Sequence, residues 1–319
     1  MGKIFRNIVV TVVLLALLLF VVPVMIPSGE IKRLIEESVA KSSDMNIQIG
    51  QLSMRLLPTP QLTMADILLS QSRGQVSILH AATGSASISL LPIFSGELMI
   101  DAIDFNTLEI YLPQRNNSAS STLNLERVTG VVDLHRDSAR VNGLRVLLYG
   151  GQLNLEAELK IERDGLVSMS GRAQLHGIQV EPLLRDIHSR YQLSGTLSGE
   201  IDLSSRGATA QAMQQGLQAD GPVRIRSGKV MINGISAGYD LIRFNLQTRG
   251  VNHHLNNIEA FSPLINATGD VQVIANYRLS GRLQAAGMGE ALVGGTVDQP
   301  QLTPVAVSPP ESAQIVPAY

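Results

Sequence analysis

The sequence predicts a mainly β protein: an N-terminal transmembrane helix followed by an antiparallel β-sheet with a few short helices. Three observations carry this expectation. Ile8 to Ile26 is apolar and free of charge. From about Asn46 onward apolar and polar residues alternate with a period of two, the signature of half-buried strands. The composition suits long sheets built from Leu, Ile, Val and Ala. Trp is absent, aromatics make up 4% and charged residues 16% of the 319 residues, below the usual quarter.

The apolar run would span about 28 Å as a helix, close to the hydrocarbon thickness of a bilayer. Lys3 and Arg6 precede it, so the positive-inside rule places the N-terminus in the cytoplasm and the bulk of the chain outside it. A cleaved signal peptide would have a shorter apolar region and a small-x-small site. Val21 to Pro27 offers no such site, which favours an uncleaved anchor. Residues 1–27 are thus read as cytoplasmic stub and anchor. In residues 28–45, Ser28 is a candidate N-cap, and Ile31, Leu34, Ile35 and Val39 recur at helical spacing opposite Lys32, Arg33, Glu36 and Glu37. This is a short amphipathic helix. A β-domain follows over 46–300 with a sub-boundary near 176–192, and the Pro-rich segment 301–319 reads as an extended tail.

Gln152 to His176 is the clearest hairpin. Leu153, Leu155, Ala157, Leu159 and Ile161 alternate with polar residues. Arg163-Asp164-Gly165 supplies the turn, and Val167, Met169, Gly171, Ala173 and Leu175 alternate on the way back. Folding about Asp164 pairs Ile161 with Val167, Leu159 with Met169 and Leu153 with Leu175 on one face, and sets Glu156 against Arg172 on the other. Further strands are expected around Ala86–Leu90, Leu108–Leu112 and Leu193–Leu203, and one late strand through Val271, Val273, Ala275, Tyr277, Leu279 and Leu283. Ser-Gly pairs at Ser95, Ser170, Ser194 and Ser280 suggest sites where glycine admits a bulge or a close approach. Short helices are expected at about Glu181–Ser189 and Ala208–Leu217.

The ordered set of segments resembles the AsmA-like family of bacterial envelope proteins. It comprises the anchor and amphipathic helix, Ile47 to Leu62, Ile88 to Ile103, Leu193 to Thr209 with Val223 to Ile235, and Val293 to Pro304. The resemblance implies inner-membrane anchoring, a periplasmic sheet that is elongated and curled into a groove, and a part in outer-membrane lipid homeostasis. Short members of the family shade into the N component of type II secretion.

The chemistry of catalysis finds little support. The 25 basic and 27 acidic residues balance closely and form no basic stripe, so nucleic acid is not an expected partner. Without cysteine there is no disulfide, thiolate metal site or Cys nucleophile. Gly234-Ile-Ser-Ala-Gly238 matches the nucleophile-elbow pattern, with Asp240 and His253 or His254 as the available partners. That motif requires a strand–turn–helix within repeating βα units, which the pattern here lacks. The six His residues show no ligand spacing, so no metal and no cofactor is expected. The leading expectation is a non-enzymatic envelope protein that binds or guides membrane lipid. Leu153, Leu155, Leu159, Ile161, Val167, Met169 and Leu175 are the candidate groove residues. Other envelope or secretion proteins are further expected partners. One-sided alternation demands only that a face be covered, so an ordinary packed core remains open, as do an assembly role in a type II secretion-like machine and an anchored serine hydrolase.

Overall fold

A computed structural model describes residues 45–305 apart from 56–59, 72–76, 90–97, 113–120, 135–136, 190–191, 233–234, 264–265, 275–276, 288 and 298, together with Gly29, Lys32, Arg33, Glu36 and Glu37. The apolar run Ile8–Ile26 and the apolar face Ile31, Leu34, Ile35 and Val39 lie outside the described residues. Among the described residues no helix is long and apolar enough to cross a membrane. The protein is mainly β, and the chain divides into two compact units, Met1–Ser189 and Arg190–Tyr319.

The first unit contains β1 (Met45–Arg55), β2 (Gln61–Gln71), β3 (Ser77–Ser89), β4 (Leu98–Tyr111), β5 (Thr122–Leu134), β6 (Ser138–Leu148), β7 (Gly151–Ile161), β8 (Val167–Gln179) and the helix α1 (Val180–Asp186). Every strand pairs antiparallel with its neighbour in sequence. Such a meander needs only hairpin connections. Its core is a row of side chains, one per strand from β2 to β6: Ile67, Ala81, Leu108, Val128 and Val146. Burying a side chain of this size contributes about 1.5–3 kcal/mol each for the larger ones. The β7–β8 register is the one the alternation predicts: Ile161 faces Val167, Leu159 faces Met169, Leu153 faces Leu175 and Glu156 faces Arg172. Its turn closes through Glu162 N–H to the Leu166 carbonyl (2.8 Å), with Gly165 left-handed at φ 79°.

A regular alternation does not explain the whole core. Met64 and Ile67 face it together, as do Phe105 and Leu108, although each pair is an odd number of residues apart. Between them sit Asp66 (φ 54°) and Thr107 (φ 53°), each in the left-handed region. One left-handed residue re-aims the strand so that its apolar set stays on one face, and it raises the local twist that curls the sheet. Gly143 in β6 and Gly177 in β8 have positive φ as well.

The free edge of β1 is covered from the N-terminal side. The Ile49 N–H donates to Glu36 Oε1 at 3.0 Å, within the helical residues that precede the sheet. Satisfying an edge donor in this way removes a template for foreign strands. At the other side of the unit α1 is pinned by a polar cluster. Tyr149 Oη donates to Asp186 Oδ2 (3.0 Å) and accepts from the Asn124 N–H (3.2 Å). The Asn124 side chain donates to the same carboxylate at 2.7 Å.

The second unit contains β9 (Thr196–Gly207), α2 (Ala210–Gln215), β10 (Gln218–Ile232), β11 (Ile235–Arg249), β12 (Asn252–Phe261), β13 (Ala267–Ile274), β14 (Arg278–Ala285), β15 (Gly289–Thr296) and β16 (Gln299–Pro304). These strands also pair antiparallel in chain order. Ile201, Ala219, Val223, Ile225 and Tyr239 are buried. Ser227 in β10 (φ 52°) and Asn257 in β12 (φ 53°) repeat the left-handed device. Thr209 caps α2 by accepting the Ala212 N–H on Oγ1 at 3.1 Å, an N-cap bond worth about 1 kcal/mol.

Three expectations need correction. The late strand is two strands, β13 and β14, because the chain reverses before Tyr277, which is left-handed at φ 57°. A turn whose apolar parity matches on both sides is invisible to alternation alone. The helices are shorter than expected, Val180–Asp186 and Ala210–Gln215. The segment read as a tail begins as strand: β16 runs to Pro304, and residues 306–319 lie outside the described residues. Pro300 and Pro304 stand at exposed positions of β16. The Val305 N–H donates to the Glu290 carbonyl, so by antiparallel alternation the N–H groups facing β15 belong to odd-numbered residues. Both prolines therefore occupy positions whose N–H would face outward, which blunts this edge.

Candidate functional site: a one-sided apolar face

The two faces of the sheet differ in chemistry. The outer face of the first unit carries cross-strand ion pairs. Arg127 on β5 binds Asp104 on β4 (Nε–Oδ1 2.9 Å), and Arg140 on β6 binds Glu158 on β7 (2.8 Å), which Lys160 also approaches at 2.8 Å. Hydrogen bonding from Arg127 holds the Asp104 carboxyl below its usual range. Lys160 first and Arg140 second do the same for Glu158. In the second unit Arg243 pairs with Glu259 and Arg249 with Asp220, each at 2.6 Å. Exposed pairs of this kind contribute little to stability, about 0–1 kcal/mol each, but they mark the face that meets water.

The opposite face carries the apolar residues. The seven candidates Leu153, Leu155, Leu159, Ile161, Val167, Met169 and Leu175 are brought together by the β7–β8 register. Leu153 packs against the core row; the other six do not belong to it. Leu155, Leu159, Val167, Met169 and Leu175 are half-buried, and Ile161 is 56% exposed. Leu108 on the same face is only 6% exposed. The face thus passes from a closed row at β2–β6 to a more open stretch at Leu155–Ile161 of β7 and Val167–Leu175 of β8, and it closes again at Ile178, which is 2% exposed at the end of β8. The short helices pack elsewhere, α1 against β5 and α2 against β9.

Close strand approach recurs within each unit. At Gly171 an added Cβ would fall 2.6 Å from the Glu156 carbonyl oxygen, and at Gly281 it would land on the Asp270 carbonyl. Both belong to the Ser-Gly pairs singled out in the sequence. Ser95 lies outside the described residues.

The elbow-like motif is not assembled into a triad. Ser236 is exposed near the start of β11, and that strand continues to Arg249 with no helix after the serine. His253 pairs with Thr248, at the far end of β11, about 40 Å of strand away from Ser236. His253 Nδ1 is 3.0 Å from Thr248 Oγ1. His254 sits opposite Gln247, and Asp240 is about 13 Å along the strand from the serine. Among the described residues no group of three or more His, Asp or Glu side chains is placed to hold a metal ion.

The left-handed residues were missed by a strict period of two. Their signal was present: Met64 and Ile67, or Phe105 and Leu108, break the alternation by one residue beside a small polar one. No curated protein and no solved structure matches the chain. Residues 1–126, covering the apolar run through β4 and the start of β5, match the model of the AsmA family, and over that span the chain is similar to AsmA-family proteins.

Proposed function

We propose that this is a non-enzymatic protein of the bacterial envelope, anchored in the inner membrane by Ile8–Ile26, with its sheet in the periplasm, where an apolar β-groove binds or guides lipid acyl chains. The observation that carries this reading is the half-open apolar strip at β7–β8, in which Leu159 and Met169 face each other without joining the closed core. An apolar face that is neither exposed to water throughout nor packed dry suits a ligand that supplies its own hydrocarbon. The separation of Ser236 from His253 supports a role without hydrolysis.

Mass spectrometry of lipids that co-purify with the detergent-extracted full chain tests the reading. A photo-crosslinking residue at Leu159 is expected to capture lipid in cells, and one at Glu158, on the opposite face, is not. A stable protein partner with no lipid adduct at Leu159 would move the reading to an assembly component of a secretion-like machine. Ser236→Ala is expected to retain full function at normal abundance.

A further inference from the structure

A second feature lies on the opposite face from Ile67 and Ala81, where the helical residues Lys32 and Glu36 meet strands β1–β3. A cleft of about 330 Å³ opens there, lined by Lys32, Glu36, Gln48, Asp66, Leu68 and His80 among others. That volume is at the lower end of ligand sites, large enough for a small polar molecule. The geometry points to a binding cleft for a small zwitterion carrying an ammonium group and a phosphate close together, as in phosphoethanolamine.

The lining holds both signs of charge. Lys32 Nζ lies 4.0 Å from Glu36 Oε1, too far for a hydrogen bond, so its three donors are not satisfied by this contact. Glu36 Oε1 accepts the Ile49 N–H, and a carboxylate can take about four such bonds. Asp66 Oδ1 lies 2.9 Å from His80 Nε2, and its other oxygen faces Gly50. A Cβ at position 50 would stand 2.9 Å from the Asp66 Cβ and 3.2 Å from Oδ2, so the glycine keeps this floor of the cleft clear. Asp66 itself is held left-handed, a conformation that Asp and Asn tolerate better than most residues. A simple cation satisfies Glu36 and Asp66 but opposes Lys32; a simple anion does the reverse. A zwitterion pairs its ammonium with the carboxylates and its phosphate with the lysine, which binds phosphate as a point charge. Asp66 is open to water, so the affinity is modest.

Calorimetric titration of the detergent-solubilised full chain tests this with three probes: O-phosphoethanolamine, ethanolamine and glycerol 3-phosphate. The zwitterion is expected to bind at least tenfold tighter than either single-charge probe. Asp66→Asn and Lys32→Gln should each weaken it at least fivefold with unchanged circular dichroism, and Gly50→Ala should weaken it by filling the cleft. Equal affinity for the three probes, no saturable binding, or variants that bind like the parent would overturn the inference. Dihexanoyl-phosphatidylethanolamine separates the sources. Binding as tight as the free headgroup assigns a lipid, and loss of binding assigns a soluble zwitterion; both uphold the cleft. The cleft and the apolar strip are on opposite faces, so these variants leave crosslinking at Leu159 unchanged, and failure of one reading is separable from failure of the other.

Discussion

Leu108 and Leu159 offer the sharpest comparison, because the same substitution at each tests whether the apolar face is closed or open. Leu108 is 6% exposed and packs with Ile67, Ala81 and Val128. Leu108→Glu forfeits about 2–3 kcal/mol of transfer free energy and strands a carboxylate in the core at a further several kcal/mol. The sum approaches the whole stability of a typical domain, about 5–15 kcal/mol, so this variant should not accumulate as folded protein. Leu159 is half-buried between Ala139 and Met169. There the carboxylate can reach water, and Leu159→Glu should cost roughly 1–3 kcal/mol, the transfer term of a partly exposed leucine without the penalty of a stranded charge. Urea unfolding of the detergent-solubilised chain, followed by circular dichroism, measures both, with abundance in cells as the second readout. The expected result is a folded Leu159→Glu protein that no longer captures lipid. If Leu159→Glu were as destructive as Leu108→Glu, the strip would be an ordinary packed core and the groove reading would fall.

Three further outcomes follow from the geometry. Thr107→Gly should stabilise the chain by about 0.5–1 kcal/mol in urea titration, because relief of a β-branched left-handed residue outweighs the entropy of glycine; a loss would show that Thr107 is not strained. Gly221→Ala should cost about 3 kcal/mol or more, since the added Cβ lands on the Glu200 carbonyl of β9 and pushes β9 and β10 apart; a neutral variant would show that β9 can yield there. Asp104 has its carboxyl lowered by Arg127, so its contribution is present above the unfolded carboxylate range near pH 4 and is lost as pH falls through the lower folded value. The urea midpoint of the parent should therefore drop more steeply below pH 4 than that of Arg127→Met, and parallel curves would count against the pair.

Local information was sufficient where local chemistry decides. In β7 and β8 the alternation, the Asp-Gly turn and the Glu156–Arg172 pair all demand one register, and shifting it by a single residue would turn every leucine to the wrong face. The mainly β class and antiparallel hairpins follow from the same period. The left-handed residues Asp66, Thr107 and Ser227 were not legible as such, because each is locally unfavourable and persists only through pairing with the neighbouring strands. Tertiary structure alone also separated Leu108 from Leu159: the two side chains are identical, and only the neighbours that β3 and β5 bring to one, but not to the other, close it off from solvent. The same holds for Lys32, Glu36, Asp66 and His80, which are remote in the chain and meet because the β1–β3 register and the Glu36–Ile49 bond fix their positions. Burial and the convergence of charges are properties of what surrounds a residue in space, and a linear pattern encodes them only where the partners are also neighbours along the chain.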